Sequence, residues 1–189
     1  MGTVVLSALR IADAGELAGR ASDALHRLLE SKGEVVQVLD LEEADVSPCL
    51  GCGRCSEAGE CVLRDDMSRM IRLIASCDRL VLAGPILFGT HHPTLKRAVD
   101  RLLPLAGELF TIRRGEMHHR PRHPGRLCLL GVGKLREGAP QAEAESFERL
   151  IGRHALNIAA RGHAAVVISE AGDVDEAIRA GLERTERDR

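Results

Sequence analysis

Aromatic side chains are scarce in this sequence of 189 residues, which has no tryptophan, no tyrosine and only three phenylalanines. A planar cofactor would therefore find few rings to stack on, so backbone and aliphatic groups would have to supply most of its contacts. A large charge of one sign is also lacking, because the net charge is −2 at pH 7. This near-neutral balance argues against a nucleic-acid-binding protein.

Long apolar runs are absent as well. No stretch reaches the roughly eighteen apolar residues of a transmembrane helix. The opening MGTVVLSALR lacks the basic region and apolar core of a signal peptide. We therefore expect a cytoplasmic protein without membrane contacts. In that reducing compartment, clustered cysteines are more often metal ligands or redox groups than disulfides.

Apolar runs and helical spacing alternate along the chain. Helices are indicated between the apolar runs, and Pro93 marks the start of one of them. A polar stretch, Gly107–Gly125, separates the third strand and its helix from the fourth strand, and no strand or helix is predicted in it. Continuous β-branched or aliphatic runs predict five buried strands, at Thr3–Leu9, Glu34–Leu41, Arg79–Ile86, Arg126–Gly133 and His163–Ser169.

This alternation predicts one α/β domain over residues 1–189, a flavodoxin-like three-layer sandwich with helices on both faces. Its five-stranded parallel sheet is expected to have the order 2-1-3-4-5. Ligands of such sheets bind beyond the carboxyl ends of the strands, where the strand order reverses. Three loops are expected to converge there: Ser7–Gly15, the cysteine-rich loop at 45–65, and Gly84–Pro93.

The cysteines are unevenly distributed. Four of the six fall in one short segment: Cys49, Cys52, Cys55 and Cys61. The first three have the spacing that bacterial ferredoxins use for a [4Fe–4S] cluster. Gly51 and Gly53 allow the backbone to turn and to bring amide N–H groups toward sulfur. A [4Fe–4S] cluster is therefore the group that this spacing favours.

Two alternatives stay open for the motif. Zinc also binds four thiolates, although usually as two separated Cys-x2-Cys pairs. The thiols could instead serve structure or redox chemistry, although disulfides at such short spacing are strained. The other cysteines, Cys77 and Cys128, lie in apolar segments and are interpreted as buried small hydrophobic residues.

Three segments together resemble a known family. The segment PCLGCGRCSEAGECVLRDDM, followed by CDRLVLAGPILFG and LKRAVDRL, resembles the flavodoxin-like iron–sulfur flavoproteins, which belong with the NADPH-dependent FMN reductases. The resemblance covers roughly Thr3 to Ser169. It implies an oxidoreductase in which FMN lies at the carboxyl edge of the sheet and a [4Fe–4S] cluster exchanges electrons with it. It also implies a homodimer or homotetramer.

The resemblance also assigns residues by position. The four clustered cysteines match the cluster ligands. Ser7 and Arg10 match the loop that holds the FMN phosphate, and Gly131 and Gly133 match a later loop at the same edge. The implied donor is NAD(P)H, and the implied electron partner is a small molecule or a protein such as a ferredoxin. Contacts along the flavin ring are assigned to Gly84, Pro85, Ile86, Leu87, Phe88 and Gly89.

The phosphate loop departs from the family pattern. Glu16 stands where the family has Asn, and Asp13 lies just before it. Carboxylates beside a phosphate are unfavourable unless a cation such as Arg10 or Arg20 offsets them. This loop therefore predicts that FMN binds weakly, in a shifted position, or not at all.

His91 and His92 directly follow the flavin loop. His92 precedes Pro93 and is expected to cap the helix, while either histidine is also a candidate proton donor to flavin. The segment Arg113–Arg126 is rich in Arg and His. We interpret it as a solvated loop, with an anion site for NADPH phosphates or an acidic partner as the alternative.

Three functions are consistent with these features. The favoured one is an electron-transfer flavoprotein or oxidoreductase that uses FMN and a [4Fe–4S] cluster. The second is an NAD(P)H-dependent FMN or quinone reductase without a cluster. The third is a flavin-free, non-enzymatic protein whose cysteine loop binds zinc, senses redox state or mediates assembly.

Overall fold

The fold was obtained as a computed structural model that describes residues 1–11, 14–123, 127–170 and 172–187. The strands are β1 (Gly2–Ser7), β2 (Val35–Asp40), β3 (Arg79–Leu87), β4 (Thr90–His91), β5 (Ala106–Arg113), β6 (Glu116–Pro121), β7 (Cys128–Lys134) and β8 (His163–Ile168). The helices are α1 (Gly15–Ser31), α2 (Arg54–Ala58), α3 (Met67–Ser76), α4 (Pro93–Asp100), α5 (Gln141–Asn157) and α6 (Val174–Arg187), with a 3-10 helix at Leu103–Leu105.

The central sheet contains five parallel strands in the order β2-β1-β3-β7-β8, and β4 pairs antiparallel with β3. The five strands that the sequence predicted are all present, with bounds that differ by at most two residues. The expected order 2-1-3-4-5 becomes 2-1-3-7-8, because three strands that the sequence did not predict intervene between the third and the fourth.

The central strands are apolar on both faces because helices cover both sides of the sheet. Every described side chain of β3 from Arg79 to Ile86 is buried, and so is every residue of β7 from Cys128 to Gly133. Helix α5 packs against β7 and β8, while α6 packs against β7, β8 and α1. By contrast, β2 is an edge strand and is only partly buried.

The interpretation of Arg113–Arg126 as a solvated loop is wrong for Glu116–Pro121, which is strand β6, and the polar stretch before it contains β5. Strands β5 and β6 form an antiparallel hairpin. Arg113 fastens it by donating hydrogen bonds to the carbonyl oxygens of Leu156 and His119, at 2.9 and 3.0 Å. Little in the sequence indicated β5, because its large apolar side chains, Leu109, Phe110 and Ile112, are exposed and two of them are adjacent.

A search of the described helices found none that is both long enough and apolar enough to cross a membrane.

Candidate functional site

The base of the cysteine-rich loop is closed by a buried ion pair. Arg101, directly after α4, donates two hydrogen bonds to the Asp65 carboxylate, at 2.7 and 2.9 Å. It donates a third to the carbonyl oxygen of Ser47 at 2.8 Å, while the Ser47 N–H donates to Asp65 at 3.0 Å. The two ends of the loop are therefore held together by one guanidinium and one carboxylate.

Burial makes this ion pair important for the loop. The side chains of Arg101 and Asp65 are 1% and 4% exposed. Burial alone would raise the pKa of the Asp65 carboxyl, but the hydrogen bonds from Arg101 and Ser47 outweigh it, so this pKa lies below its usual value. No local pattern in the sequence marks Arg101 as a site residue, because its role depends on a partner 36 residues away.

The four clustered cysteines line one common pocket of about 140 Å³. Apolar side chains complete its wall: Leu50, Val62, Leu63 and Leu103. Gly51 and Gly53 have positive φ angles of 64° and 72°, which a side chain would strain. The Gly51 N–H donates to the Cys49 sulfur at 3.4 Å. The local backbone therefore turns as the glycines predicted and directs an amide at sulfur.

The donor chemistry of this pocket fits a thiophilic metal group. The pKa of the Cys55 thiol is raised by burial and by the neighbouring Cys61, so the thiol keeps its proton until a cation displaces it. Among the described residues, no three Cys, His, Asp or Glu side chains are closed around a single point as they lie. The four thiols thus line one pocket, but a metal would have to bring their sulfur atoms closer together to bind them all.

The cysteine loop and the predicted flavin loop lie at opposite ends of α4. Arg101, which holds the base of the cysteine loop, follows the last residue of α4. Helix α2, which lies within the cysteine loop, packs against the 3-10 helix and β5. The Gly84–Gly89 segment precedes the first residue of α4. An eight-residue helix is about 12 Å long. The expected convergence of all three loops at the strand ends is therefore wrong for the base of the cysteine loop.

The end of the Gly84–Gly89 loop is a tight two-residue turn. Leu87 pairs with Thr90, so Phe88 and Gly89 connect β3 to β4, and both have positive φ, 51° and 77°. Positive φ is a strained conformation for a bulky residue such as phenylalanine. The Phe88 side chain is also 88% exposed. A strained, exposed aromatic residue at the carboxyl edge of the sheet indicates a binding surface.

The other glycines assigned to the flavin have packing contacts in this structure. A Cβ atom on Gly131 would lie 2.4 Å from Ile151, and one on Gly133 would lie 2.6 Å from Ile86. Both glycines therefore let side chains pack closely against β7. Gly84 is similarly close to Ala8, at 3.2 Å. Close packing explains these three positions without a cofactor.

The predicted phosphate site contains one cation that the sequence did not indicate. Helix α1 begins at Gly15 without a side-chain cap, so its first N–H groups point toward the β1–α1 loop. Lys134 is the last residue of β7, and a Cβ atom on Gly15 would lie 3.9 Å from its Nζ atom. Its approach to Gly15 is a product of the tertiary fold, and no local pattern in the sequence marks it.

The residues assigned to the phosphate differ in their surroundings. Ser7 is buried, and its Oγ accepts a hydrogen bond from the Leu9 N–H at 3.3 Å. Arg10 is exposed and forms an ion pair with Asp23 at 2.7 Å. Glu16 lies exposed in the first turn of α1, and Asp13 lies outside the described residues. A phosphate here would face the α1 N–H groups and Lys134, which fit it, and Glu16, which does not.

Each of the two histidines after the flavin loop has a structural contact. The Nδ1 atom of His92 accepts a hydrogen bond from the Thr94 N–H at 3.3 Å, which confirms the predicted helix cap. His91 is buried, stacked on His154 with ring centroids 5.3 Å apart and edge-on to Phe147 at 5.6 Å. Its imidazole is therefore embedded under α5, which does not favour proton donation to a ligand.

Burial of His91 should make the stability of the protein depend on pH. Its pKa is lowered to about 3 by burial, by His154 and by Lys96, whereas an unfolded chain has its ordinary value. Below about pH 6.5 the unfolded state therefore binds a proton at His91 that the folded state does not bind. The free energy of unfolding decreases as the pH is lowered. We expect a loss of about 2 kcal/mol between pH 7 and pH 5.

This loss can be measured by urea denaturation at both pH values. His91→Gln should remove most of it, because glutamine does not titrate. His154, whose pKa is lowered by burial and by Lys96 and raised by Asp100, is left in place. His26→Gln, on the exposed face of α1, is the matched control and should keep the loss. An equal pH dependence in His91→Gln and the unmodified protein would contradict this account.

Of the two cysteines outside the cluster, Cys128 is buried, as expected of a small hydrophobic residue, whereas Cys77 is only half-buried beside the core. Desolvation raises the pKa of the Cys77 thiol to about 11.

Residues 124–126 of the segment Arg113–Arg126 lie outside the described residues. Two arginines of the described part, Arg113 and Arg122, bind backbone carbonyl oxygens. Arg122 donates to the carbonyl oxygens of Ser56 and Ala106, and Arg113 binds two carbonyl oxygens in the same way. Both side chains thus join distant parts of the backbone, and their N–H groups that donate to carbonyl oxygens are not available to bind an anion.

The family model described as NADPH-dependent FMN reductase matches residues 14–173. An iron-sulfur flavoprotein of Archaeoglobus fulgidus is 31% identical over 166 residues, which are 84% of this chain and 67% of that protein. An iron-sulfur flavoprotein of Methanocaldococcus jannaschii is 31% identical over 83 residues, 44% of this chain and 42% of that protein.

Among solved structures, an NAD(P)H:quinone oxidoreductase from Methanothermobacter marburgensis superposes with a TM-score of 0.66 at 16% identity. The match covers 98% of this chain and 95% of that one. This likeness establishes the flavodoxin-like fold, and the sequence match extends over most of the same residues. The chain therefore belongs to the NADPH-dependent FMN reductase family and is an oxidoreductase of that family.

Proposed function

We propose that this protein is a cytoplasmic electron-transfer flavoprotein that uses FMN and a [4Fe–4S] cluster, with NAD(P)H as electron donor. The observation that carries the proposal is the common pocket of four cysteines in a chain of the FMN reductase family. The similar proteins of A. fulgidus and M. jannaschii are named iron-sulfur flavoproteins, which supports the same assignment here.

The cluster would be held by Cys49, Cys52, Cys55 and Cys61. When bound, the cluster supplies one-electron transfer and FMN supplies exchange between one- and two-electron partners. Leu103 and the other apolar side chains of the pocket would exclude water, and the Gly51 N–H would donate to sulfur. Arg101 and Asp65 would fix the separation of the two loop ends.

FMN would lie at the carboxyl edge of the sheet, along the Gly84–Gly89 segment. The exposed ring of Phe88 is available for contact, and the backbone of the segment for hydrogen bonds. The phosphate would face Ser7 and the first turn of α1, with Lys134 as its cation. Arg10, Gly131 and Gly133 have other partners in the structure, so we propose a smaller part for them.

The binding of FMN tests this placement. Lys134→Met should weaken FMN binding roughly tenfold, equivalent to about 1.4 kcal/mol, because it removes the nearby positive charge. Glu16→Gln should strengthen binding roughly two- to fivefold by removing a carboxylate from the helix N-terminus. Fluorescence titration of apoprotein with FMN measures both.

Glu30→Gln makes the same chemical change at the other end of α1 and should leave the affinity unchanged. Affinities that are equal in all four proteins would mean that the phosphate binds elsewhere.

A homo-oligomer is also part of the proposal. The β5–β6 hairpin exposes several large apolar side chains: Leu109, Phe110, Ile112 and Met117. Such a patch on one hairpin commonly marks a protein interface. We propose that it is buried between subunits of a homodimer or homotetramer, and that a small molecule or a protein such as a ferredoxin is the electron partner.

A second candidate is an NAD(P)H-dependent FMN or quinone reductase without a cluster. It is favoured by the observation that the described thiols are gathered but not closed around one point. The absorption spectrum distinguishes the two candidates, because a flavin alone gives resolved yellow bands, whereas a cluster adds broad brown absorption. Persistent absence of the broad absorption after anaerobic purification would support the second candidate.

A further inference from the structure

A cavity of about 640 Å³ lies away from the strand ends, between α4, α5 and the β5–β6 hairpin. Its floor is formed by Leu80 and Leu82 of β3 and Leu129 of β7, and Cys49 of the cysteine loop lines its rim. Protein interiors are close-packed and contain few voids larger than a water molecule. The volume is instead in the range of small-molecule sites, roughly 300–1,000 Å³.

Two buried polar atoms of this cavity lack hydrogen bonds. The Nε2 atoms of His118 and His154 are both inaccessible to solvent and have no hydrogen-bond partner among the described residues. The His118 side chain is 5% exposed. Buried polar atoms are nearly always paired with protein, water or ligand, so these two imidazoles indicate that something polar belongs in the cavity.

The nearest charged neighbour of His118 is Glu116. The His118 Nε2 atom lies 3.3 Å from that carboxylate, but without the alignment of a hydrogen bond. The carboxylate is held in place by Arg153, which donates to its two oxygens at 2.9 and 2.6 Å. Because the contact with Glu116 is poorly aligned, the imidazole of His118 remains able to hydrogen-bond with a group inside the cavity.

The lining also defines the charge of a ligand. Aliphatic side chains form most of the wall, and the one carboxylate among the described lining residues, Asp100, pairs with Lys96 at the end of α4. The pKa of His154 is lowered by burial and by Lys96, so its imidazole is neutral near pH 7. No lysine or arginine is among the described residues of the lining, so the wall has no permanent positive charge that would attract an anion.

We propose that this cavity binds an uncharged, apolar ring compound that carries one hydroxyl or carbonyl oxygen, with that oxygen hydrogen-bonded to His118 or His154. The site is separate from the proposed flavin edge and does not depend on the proposed cofactors. Its rim at Cys49 places such a ligand next to the cysteine loop.

The probe for this site is 2-naphthol, titrated into the purified full chain and followed by its fluorescence. Saturable binding is expected. Ala106→Phe fills the cavity from β5 and should abolish binding, whereas Glu108→Phe, an exposed position on the same strand but outside the lining, should bind as the unmodified protein does. Val99→Phe, from α4, provides a second filling variant if Ala106→Phe does not fold.

The hydrogen bond is tested separately with His118→Leu. This variant should bind 2-naphthol roughly tenfold more weakly and 2-methylnaphthalene, which lacks the hydroxyl, with unchanged affinity. Thermal melting checks that each variant is folded. The proposal is overturned if the probe shows no saturable binding, or if filled and control variants bind it equally well.

Discussion

Replacing Cys52 with alanine is expected to abolish iron incorporation and to leave the fold intact. Cys52 is exposed and contributes nothing to the apolar core, so its loss should change the free energy of unfolding of the apoprotein by less than about 0.5 kcal/mol. As one of four proposed ligands, however, its thiolate cannot be replaced by a methyl group. Iron and sulfide analysis after anaerobic purification, together with circular dichroism, measures both effects.

Cys77→Ala is the matched control for this experiment. Cys77 lies outside the common pocket, and its sulfur contacts the carbonyl oxygens of Ile74 and Arg79, at 3.3 and 3.2 Å. It should therefore keep its iron while losing some stability. Unchanged iron content in Cys52→Ala, or equal loss of iron in both variants, would contradict the assignment of the ligands.

Replacing Arg101 with methionine is expected to destabilise the protein by about 3–5 kcal/mol, because it leaves the buried Asp65 carboxylate without its partner. The same change opens the base of the cysteine loop, so the retained iron should also fall sharply. Urea denaturation of the apoprotein measures the first effect, and it does not depend on which metal the loop binds.

Arg97→Met is the control on the same helix, because Arg97 is exposed on α4. A second comparison isolates the ion pair itself. Asp65→Leu combined with Arg101→Met removes both charges, so the double variant should be more stable than Arg101→Met alone. A double variant that is less stable than either single variant would show that the hydrogen bonds to Ser47 and Met67, rather than the charges, hold the loop.

The central fold was predictable because its signal is local. Strands such as β1 and β7 are continuous apolar runs, since a parallel sheet covered on both faces requires it. Pro93 and His92 likewise marked the start of α4 by the chemistry of a helix N-terminus. The hairpin could not be predicted in the same way. Its large apolar side chains are exposed, and Arg113 and Arg122 donate hydrogen bonds to backbone carbonyl oxygens elsewhere in the fold.

The candidate site was predictable only in part. The spacing of the four cysteines is encoded in a single segment, and so are the turns at Gly51 and Gly53. The Arg101–Asp65 pair and the approach of Lys134 to Gly15 are products of the tertiary fold, and no local pattern announces them. Gly131 and Gly133 were also misleading in the sequence. A Gly-rich strand end suggested contact with a cofactor, but in the fold the side chains of Ile151 and Ile86 pack against these two glycines.

The base of the cysteine loop lies at the end of α4 that is remote from the Gly84–Gly89 turn. Electrons passing between the two proposed sites must therefore cover a distance on the order of the length of α4, about 12 Å, within a subunit. A subunit interface at the exposed hairpin offers a second arrangement, and the oligomeric state decides which applies.

The most direct test of the proposed function is the content of iron, acid-labile sulfide and zinc in anaerobically purified protein. We expect about four iron and four sulfide per chain, with no zinc, held by the cysteines of the common pocket. One zinc per chain without sulfide, or a colourless protein containing neither metal, would contradict the assignment.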